Sequence, residues 1–282
     1  MPNKVYLEIS NVCNLSCSFC HGTKRKPRIM TTDEFRHAAA EARKIGEYLY
    51  FHLMGEPLLH PNLAELFEIA GNLGFKVIIT TNGTLLGEKA EILTSAKSLH
   101  KVSISLHSFE ANKGVDMDGY LEDCFDFAEK ATSNGIITVF RLWNIGGLES
   151  FNEEIVKKMH RSFDVTGDTW YETRNGFRIK DKLFLEWGQK FDWPDTDAEV
   201  QSVSHFCYGI RDQIGILSDG TVVPCCLDAD GEIPLGNVFE APLLEILESE
   251  RAKALKKSFD MRRVTERLCQ RCGYAEMKGY RK

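Results

Sequence analysis

Three cysteines fall within eight positions near the start of the chain, as Cys13-x3-Cys17-x2-Cys20. Thiolates are soft ligands that suit zinc or iron–sulfur clusters, and a closed protein site takes four ligands. His21 adjoins Cys20 and is poorly placed to be the fourth. The set reads as a site with one metal position left open. A second set lies near the other end: Cys207-x12-Gly220-x4-Cys225, then Cys269-x2-Cys272. Four thiolates make a complete ligand set for zinc or for a cluster. Cys226, beside Cys225, reads as a buried thiol, and Cys124 as core packing.

These residues need elements to hold them. Short β-branched or aromatic runs alternate with longer amphipathic stretches over the first 165 residues. Strands are expected at 4–10, 47–54, 76–82, 101–107 and 137–143, with a sixth around 169–174. Helices are expected at 32–45, 61–73, 88–97, 120–134 and 151–163. Thr31-x-x-Glu34 and Ser150-x-x-Glu153 have capping-box spacing. Alternating strand and helix implies parallel strands joined by right-handed crossovers. The expected fold class is α/β, a partial (β/α)6 barrel or an open sheet, in either case with its ligand site at the carboxyl ends of the strands. Residues 213–225 read as a hairpin about Asp219-Gly220, and 242–259 as one helix.

With 282 residues, 43% of them hydrophobic, the chain suits one large domain with a smaller appendage. Its net charge of -6 excludes a broad basic surface for nucleic acid. Lys24, Arg25 and Lys26, and Arg262 with Arg263, read as solvated charge. No run approaches the roughly 18 apolar residues of a membrane span, and the N-terminal residues lack signal-peptide character. The expected location is cytoplasmic, where grouped cysteines mean metal or redox chemistry rather than disulfides.

Cx3Cx2C after the first strand of a partial barrel resembles the radical S-adenosylmethionine (radical SAM) superfamily. The resemblance implies that Cys13, Cys17 and Cys20 are the catalytic metal ligands, holding a 4Fe–4S cluster. Its fourth iron stays open to the amino and carboxylate groups of S-adenosylmethionine (AdoMet). Phe19 matches the family's usual aromatic residue. Met54-Gly55-Glu56-Pro57 resembles the family's GGEP element, with Met in place of the first Gly. That implies a cofactor-binding role for Gly55, Glu56 and Pro57. Thr81-Asn82-Gly83 resembles the TNG element, which brings in Asn82. Ser103, Ser105 and His107 share one strand face by alternation, and Ser105 is the residue favoured for ribose contact. Arg141 either faces the pocket and binds a carboxylate or is an outward salt-bridge partner. Trp143 and His52 read as core packing.

The C-terminal set resembles the twitch domain, a shortened SPASM domain, and Leu235-Gly236-Asn237-Val238 matches its LGN segment. Cys207, Cys225, Cys269 and Cys272 are thus implied to hold one auxiliary 4Fe–4S cluster, with zinc as the alternative. The implied organisation is a barrel over 1–175, a connector over 176–206 and a twitch-like domain over 207–282.

The implied chemistry is reductive AdoMet cleavage to a 5′-deoxyadenosyl radical, hydrogen abstraction, and two-electron oxidation of a small polar metabolite through the auxiliary cluster. A flavodoxin or ferredoxin would be the reductant. One alternative is a radical SAM peptide maturase. Only twelve residues precede Cys13, too few for a peptide-recognition domain, which favours the small molecule. A non-enzymatic alternative is an electron-transfer or zinc-structured binding protein.

Overall fold

The computed structural model describes residues 2–112, 116–163 and 170–277. Strand β1 (Lys4–Leu7) leads through a long loop to α1 (Thr32–Arg43). There follow β2 (Tyr48–Tyr50), α2 (Leu63–Asn72), β3 (Lys76–Thr81), α3 (Leu86–Ser95), β4 (Leu99–Ser105), α4 (Met117–Ser133), β5 (Ile137–Ile145) and α5 (Asn152–Phe163). The chain continues with β6 (Tyr171–Thr173), β7 (Gly176–Lys180), β8 (Leu183–Gln189), β9 (Gln213–Ile216), β10 (Thr221–Val223) and β11 (Gly236–Asn237). It closes with α6 (Leu243–Leu247), α7 (Glu250–Asp260) and α8 (Gly273–Met277). Its contacts divide it into two units. One takes the chain up to Cys13, Cys20–Val77 and everything from Phe191; the other takes Asn14–Phe19 and Ile78–Lys190.

In the first unit β1 runs parallel to both β2 and β9, with Tyr6 opposite Tyr50 and Gly215. The expected hairpin adds β10 antiparallel to β9, and β11 adds to β10. Gly220 makes its turn at φ +88°, where a Cβ would lie 2.4 Å from the Asn237 amide oxygen. The Thr31 capping box forms: the Thr31 hydroxyl accepts from the Glu34 N–H, and the Glu34 carboxylate accepts from the Thr31 N–H. Arg28 also grips Glu34 with both terminal nitrogens, and that hydrogen bonding holds its carboxyl at about 2. Helix α1 buries Phe35, Ala38, Ala39 and Ala42. The Phe35 ring meets Phe51, and Phe51 stacks on Phe67. Each buried phenylalanine contributes roughly 2 kcal/mol by area removed from water.

The single helix expected at 242–259 is two helices. Ser249 breaks it, because its hydroxyl accepts from the Ala252 N–H and starts α7 afresh.

In the second unit the strand order is β3-β4-β5-β8-β7-β6. The sixth parallel strand is β8, beside β5, and not the run at 169–174. Thr169 lies outside the described residues, and Tyr171–Thr173 form the outer antiparallel strand β6, which is exposed throughout. A short alternating run cannot say whether it sits in the middle or at the edge of a sheet. Leu183 and Leu185 take the central place because both bury.

Register sorts the faces of β4 and β5. Val102, Ile104, Phe140 and Leu142 are fully buried. Phe140 packs on Phe125 of α4 and Phe163 of α5, so this face meets the helices. Lys101, Ser103, Ser105, Val139, Arg141 and Trp143 occupy the opposite face, joined by Glu186 of β8, which pairs with Arg141.

Candidate active site

The loop after β1 carries Cys13, Cys17 and Cys20, and each unit fixes part of it. In the first unit Asn11 closes its neck. The Asn11 amide donates to the Lys26 carbonyl (3.0 Å) and accepts from the Arg28 N–H (2.7 Å). Gly55 lies directly against the loop: a Cβ there would stand 2.5 Å from the Ser10 carbonyl oxygen and 2.8 Å from that of Val12. Its φ of +78° likewise favours glycine. The Glu56 N–H donates to the Val12 carbonyl at 2.8 Å. Glu56 is buried, and its carboxylate accepts from the Leu58 N–H, capping a short 3-10 turn that begins at the buried Pro57.

Glu8, just past β1, is the organising group that motif reading missed. Its fully buried carboxylate meets the Arg25 guanidinium at 2.7 Å and accepts the N–H groups of Ser218 (3.1 Å) and Met54 (3.3 Å). Arg25 is therefore no solvated charge, because it neutralises a carboxylate that burial would otherwise penalise. The Arg25 Nε also donates to the Ala229 carbonyl at 2.9 Å. Asp230 accepts from the Thr23 hydroxyl and the Lys24 N–H, both at 2.7 Å, and stands 3.6 Å from the His21 ring. The residues that follow Cys20 are thus pinned to the loop that follows Cys226.

The second unit holds residues 14–19. Asn112 accepts from the Ser16 N–H (3.1 Å) and donates to the Cys17 sulfur (3.1 Å). Asn82 donates to the Asn14 amide oxygen at 2.9 Å and accepts from the Thr84 N–H and hydroxyl. Its backbone carbonyl accepts from Ser108 and Tyr120. Asn82 therefore anchors the cysteine loop through Asn14. The Phe19 ring lies 4.8 Å from that of His107. Burial pushes His107 down to about 4, so it is neutral at pH 7. Phe19 also lines an open cavity of about 200 Å³ with Trp143, Leu148 and Lys190. The Gly146-Gly147 turn beneath Leu148 is held by Asn144, which donates to the Leu148 carbonyl and pairs with Asn152. Ser105 stands opposite Arg141. Arg141 donates to the Thr80 hydroxyl (3.2 Å), lies 3.8 Å from Glu186 and stacks over Trp143 (4.4 Å).

The C-terminal thiols come together within the first unit. Cys225 is pushed well up, first by burial and then by the neighbouring sulfurs of Cys226, Cys207, Cys269 and Cys272. Cys269 is raised likewise, by burial and by Cys207 and Cys272. Burial pushes Cys207 up to about 11. Thiolates crowded in this way require positive charge among them, which iron or zinc supplies. Cys226 takes a hydrogen bond from Tyr6 and packs against the cluster that includes Leu53 and Met54. Cys124 is fully buried in α4.

Among the described residues, no three His, Cys, Asp or Glu side chains stand close enough to share a single metal ion. A four-iron cube is larger and spreads its thiolates further apart. N–H groups already point at three of the sulfurs: Asn112 at Cys17, Gly22 at Cys20 (3.4 Å) and Gly209 at Cys207 (3.3 Å). Such donors are what tune cluster thiolates. The donor sets fit iron–sulfur clusters better than zinc.

The comparisons agree. The radical SAM superfamily model matches residues 7–163, and the model of an iron–sulfur cluster-binding domain, SPASM, matches 207–273. A probable GTP 3′,8-cyclase of Methanocella arvoryzae is 26% identical over 274 residues, 86% of this chain and 87% of that protein. An AdoMet-dependent heme synthase of Methanosarcina barkeri is 32% identical over 113 residues, 39% of this chain, and the match spans about a third (32%) of that protein's length. Among solved structures, BtrN in complex with AdoMet and 2-DOIA aligns with a TM-score of 0.63 at 15% identity, covering 99% of this chain and 95% of that one. Streptococcus suis SuiB bound to AdoMet aligns with a TM-score of 0.57 at 18% identity, covering 98% and 70%. The fold is the mixed α/β, open parallel sheet of these structures, and among the described residues no helix is long and apolar enough to cross a membrane. With its superfamily model covering more than half of its length, the chain belongs to the radical SAM superfamily and carries a C-terminal SPASM-type iron–sulfur module.

Proposed function

We propose that this protein is a radical SAM oxidoreductase that removes two electrons from a small polar metabolite, with one catalytic and one auxiliary 4Fe–4S cluster. The observation that carries the reading is the gathering of the C-terminal thiols: Cys225 lies among Cys207, Cys226, Cys269 and Cys272, enough sulfurs to hold a cluster of their own. The first three cysteines then hold their cluster with one iron open.

When bound, that cluster and AdoMet supply one-electron cleavage of the sulfonium, giving methionine and a 5′-deoxyadenosyl radical that takes a hydrogen atom from substrate. The chain's own residues position and shield. Gly55 lets the backbone of the second-strand loop approach Ser10–Val12 without a side chain between. Glu56 and Pro57 fix that loop's shape, so its backbone groups are held for the methionine end of AdoMet. Asn112 steadies the Cys17 sulfur, and Asn82 steadies the loop through Asn14. Phe19, Trp143 and Leu148 offer apolar walls for a flat ring such as adenine. Ser105 and Arg141 lie side by side for polar contacts to AdoMet or substrate. Cys207, Cys225, Cys269 and Cys272 would hold the auxiliary cluster, which would supply an acceptor for the electron left on the substrate after hydrogen abstraction; the electron that cleaves AdoMet would come from a flavodoxin or ferredoxin.

Anaerobic reconstitution with dithionite and AdoMet tests the reading. About eight irons per chain and release of 5′-deoxyadenosine are expected, and Cys17→Ala abolishes the release. Four irons remove the auxiliary site. No cleavage by a fully loaded protein sinks the enzyme reading. Recovery of a modified peptide, rather than an oxidised metabolite, assigns the protein to peptide maturation.

A further inference from the structure

We propose that the end of α7, together with the segment from Val200 to Tyr208, docks an acidic one-electron carrier protein that drains the auxiliary cluster. The proposal rests on Cys207, Cys225, Cys269 and Cys272 as cluster ligands and adds the route by which the electron leaves. The oxidised carrier takes the one electron that hydrogen abstraction leaves behind, and no bond forms or breaks in that transfer.

Charge is the first observation. The chain has a net charge of -6, yet between Glu250 and Cys272 it carries eight Lys or Arg against three Asp or Glu. Two of those carboxylates are already paired, Asp260 with Arg211 at 3.5 Å and Glu266 with Arg251 at 3.3 Å. The third, Glu250, opens the far end of α7. Lys257, Arg262 and Arg263 are exposed and make no ion pair among the described residues. The helix dipole rewards Lys257, but its effect fades beyond the last turn, where Arg262 and Arg263 stand. Arg262 closes α7 in the left-handed region, at φ +55°. Glycine holds that position more easily, so the turn itself does not call for arginine.

Apolar side chains stand among these cations. Met261 is 63% exposed and Val203 58%, and Val200 and Tyr208 are exposed as well. Met261 follows Lys257 by one helical turn, so the two share a face. The Val264 N–H donates to the Val203 carbonyl at 2.9 Å, which joins the two segments behind Arg263. An apolar centre with a cationic rim suits a small, brief encounter with a carboxylate-rich protein.

The patch also adjoins the auxiliary thiols. Phe259, in the last turn of α7, and the Cys207 sulfur flank Gly209: a Cβ there would lie 3.3 Å from the Phe259 ring and 3.4 Å from the sulfur. The Gln270 carbonyl, between Cys269 and Cys272, accepts the N–H groups of Gln201 (2.8 Å) and Ser202 (3.0 Å). A nucleic acid would match the charge but has no use for neighbouring cluster ligands, whereas an electron carrier does.

Stopped-flow oxidation of the full-length protein provides the test. Its Cys13→Ala, Cys17→Ala, Cys20→Ala form, reconstituted and reduced anaerobically, carries the auxiliary cluster alone. A purified acidic flavodoxin is the oxidant. The bimolecular rate constant is expected to fall about tenfold or more between ~0.05 M and ~0.5 M sodium chloride. Lys257→Glu with Arg263→Glu is expected to lower it about tenfold at low salt, with iron content unchanged. Lys97→Glu with Lys130→Glu, the same charge change on other exposed residues, should leave it within about twofold. Cytochrome c, a basic carrier, should show no such fall with salt. Calorimetric titration of flavodoxin into the wild-type holoprotein should lose affinity in the same double variant. The proposal is overturned if transfer to flavodoxin is insensitive to salt, if the two double variants behave alike, or if duplex DNA binds the patch and flavodoxin does not. Iron missing from the triple-alanine form, with no flavodoxin binding to the holoprotein, overturns the auxiliary-cluster reading as well; iron present without salt-sensitive transfer overturns the docking surface alone.

Discussion

Replacing Arg25 by methionine should cost this protein a large share of its stability and loosen the loop behind Cys20. The Glu8 carboxylate is fully buried and meets the Arg25 guanidinium at 2.7 Å. Without that partner, the N–H groups of Ser218 and Met54 remain its donors among the contacts described above, at 3.1 and 3.3 Å. Removing one side of a buried pair typically costs about 3–5 kcal/mol, because the other charge stays buried and unpaired. The lost Arg25 bond to the Ala229 carbonyl adds about 1 kcal/mol. Domains are stable by only about 5–15 kcal/mol, so the change is plain in urea unfolding. Glu8→Gln combined with Arg25→Met removes both charges and should recover part of the loss. A coupling of about 2 kcal/mol or more is expected from the double-mutant cycle. Hydrogen exchange across residues 20–28 should rise in the single variant, since the same side chain ties that stretch down. A coupling within about 0.5 kcal/mol of zero, the scatter of independent sites, would refute the argument.

Three further outcomes follow from the site. Gly55→Ala places a methyl 2.5 Å from the Ser10 carbonyl in a left-handed backbone, so it should lower the melting temperature and reduce iron bound at the first loop. Asn112→Ala removes the N–H at the Cys17 sulfur; iron content should hold, while the midpoint potential of the first cluster falls, as read by EPR-monitored titration. The third concerns pH. Unfolded His107 binds a proton below about 6.5, whereas the folded ring, kept neutral by burial, resists until about 4. Its contribution is full above 6.5 and is lost as pH falls toward 4, by about 3 kcal/mol in all. Urea midpoints measured between pH 7 and 4 should therefore decline less steeply in His107→Gln, and an unchanged slope would remove His107 as the cause.

Some of this architecture was legible because the forces behind it are local. The Thr31 box closes over three residues, and the Asp219-Gly220 turn over four. Strand β8 was not, since its place beside β5 depends on burying Leu183 and Leu185 in a sheet already formed. Arg25 reads as surface charge until Glu8 is seen at the end of β1. The break at Ser249 was also hidden, because a helical pattern of leucines and charges runs on through it.

The candidate site divides in the same way. The amino-acid sequence alone determined which thiols stand at metal-ligand spacing: Cys13, Cys17 and Cys20, and then the C-terminal four. Tertiary structure decided what holds them. Asn112 lies 95 positions from the sulfur it contacts, and Asp230 lies 207 from Thr23. Those partnerships depend on the packing of distant segments, which no local spacing records. The same packing turned Asn82 into an anchor for Asn14 and set Lys101, Arg141 and Glu186 on one face. Ligand identity is a property of side-chain chemistry, while ligand placement is a property of the fold.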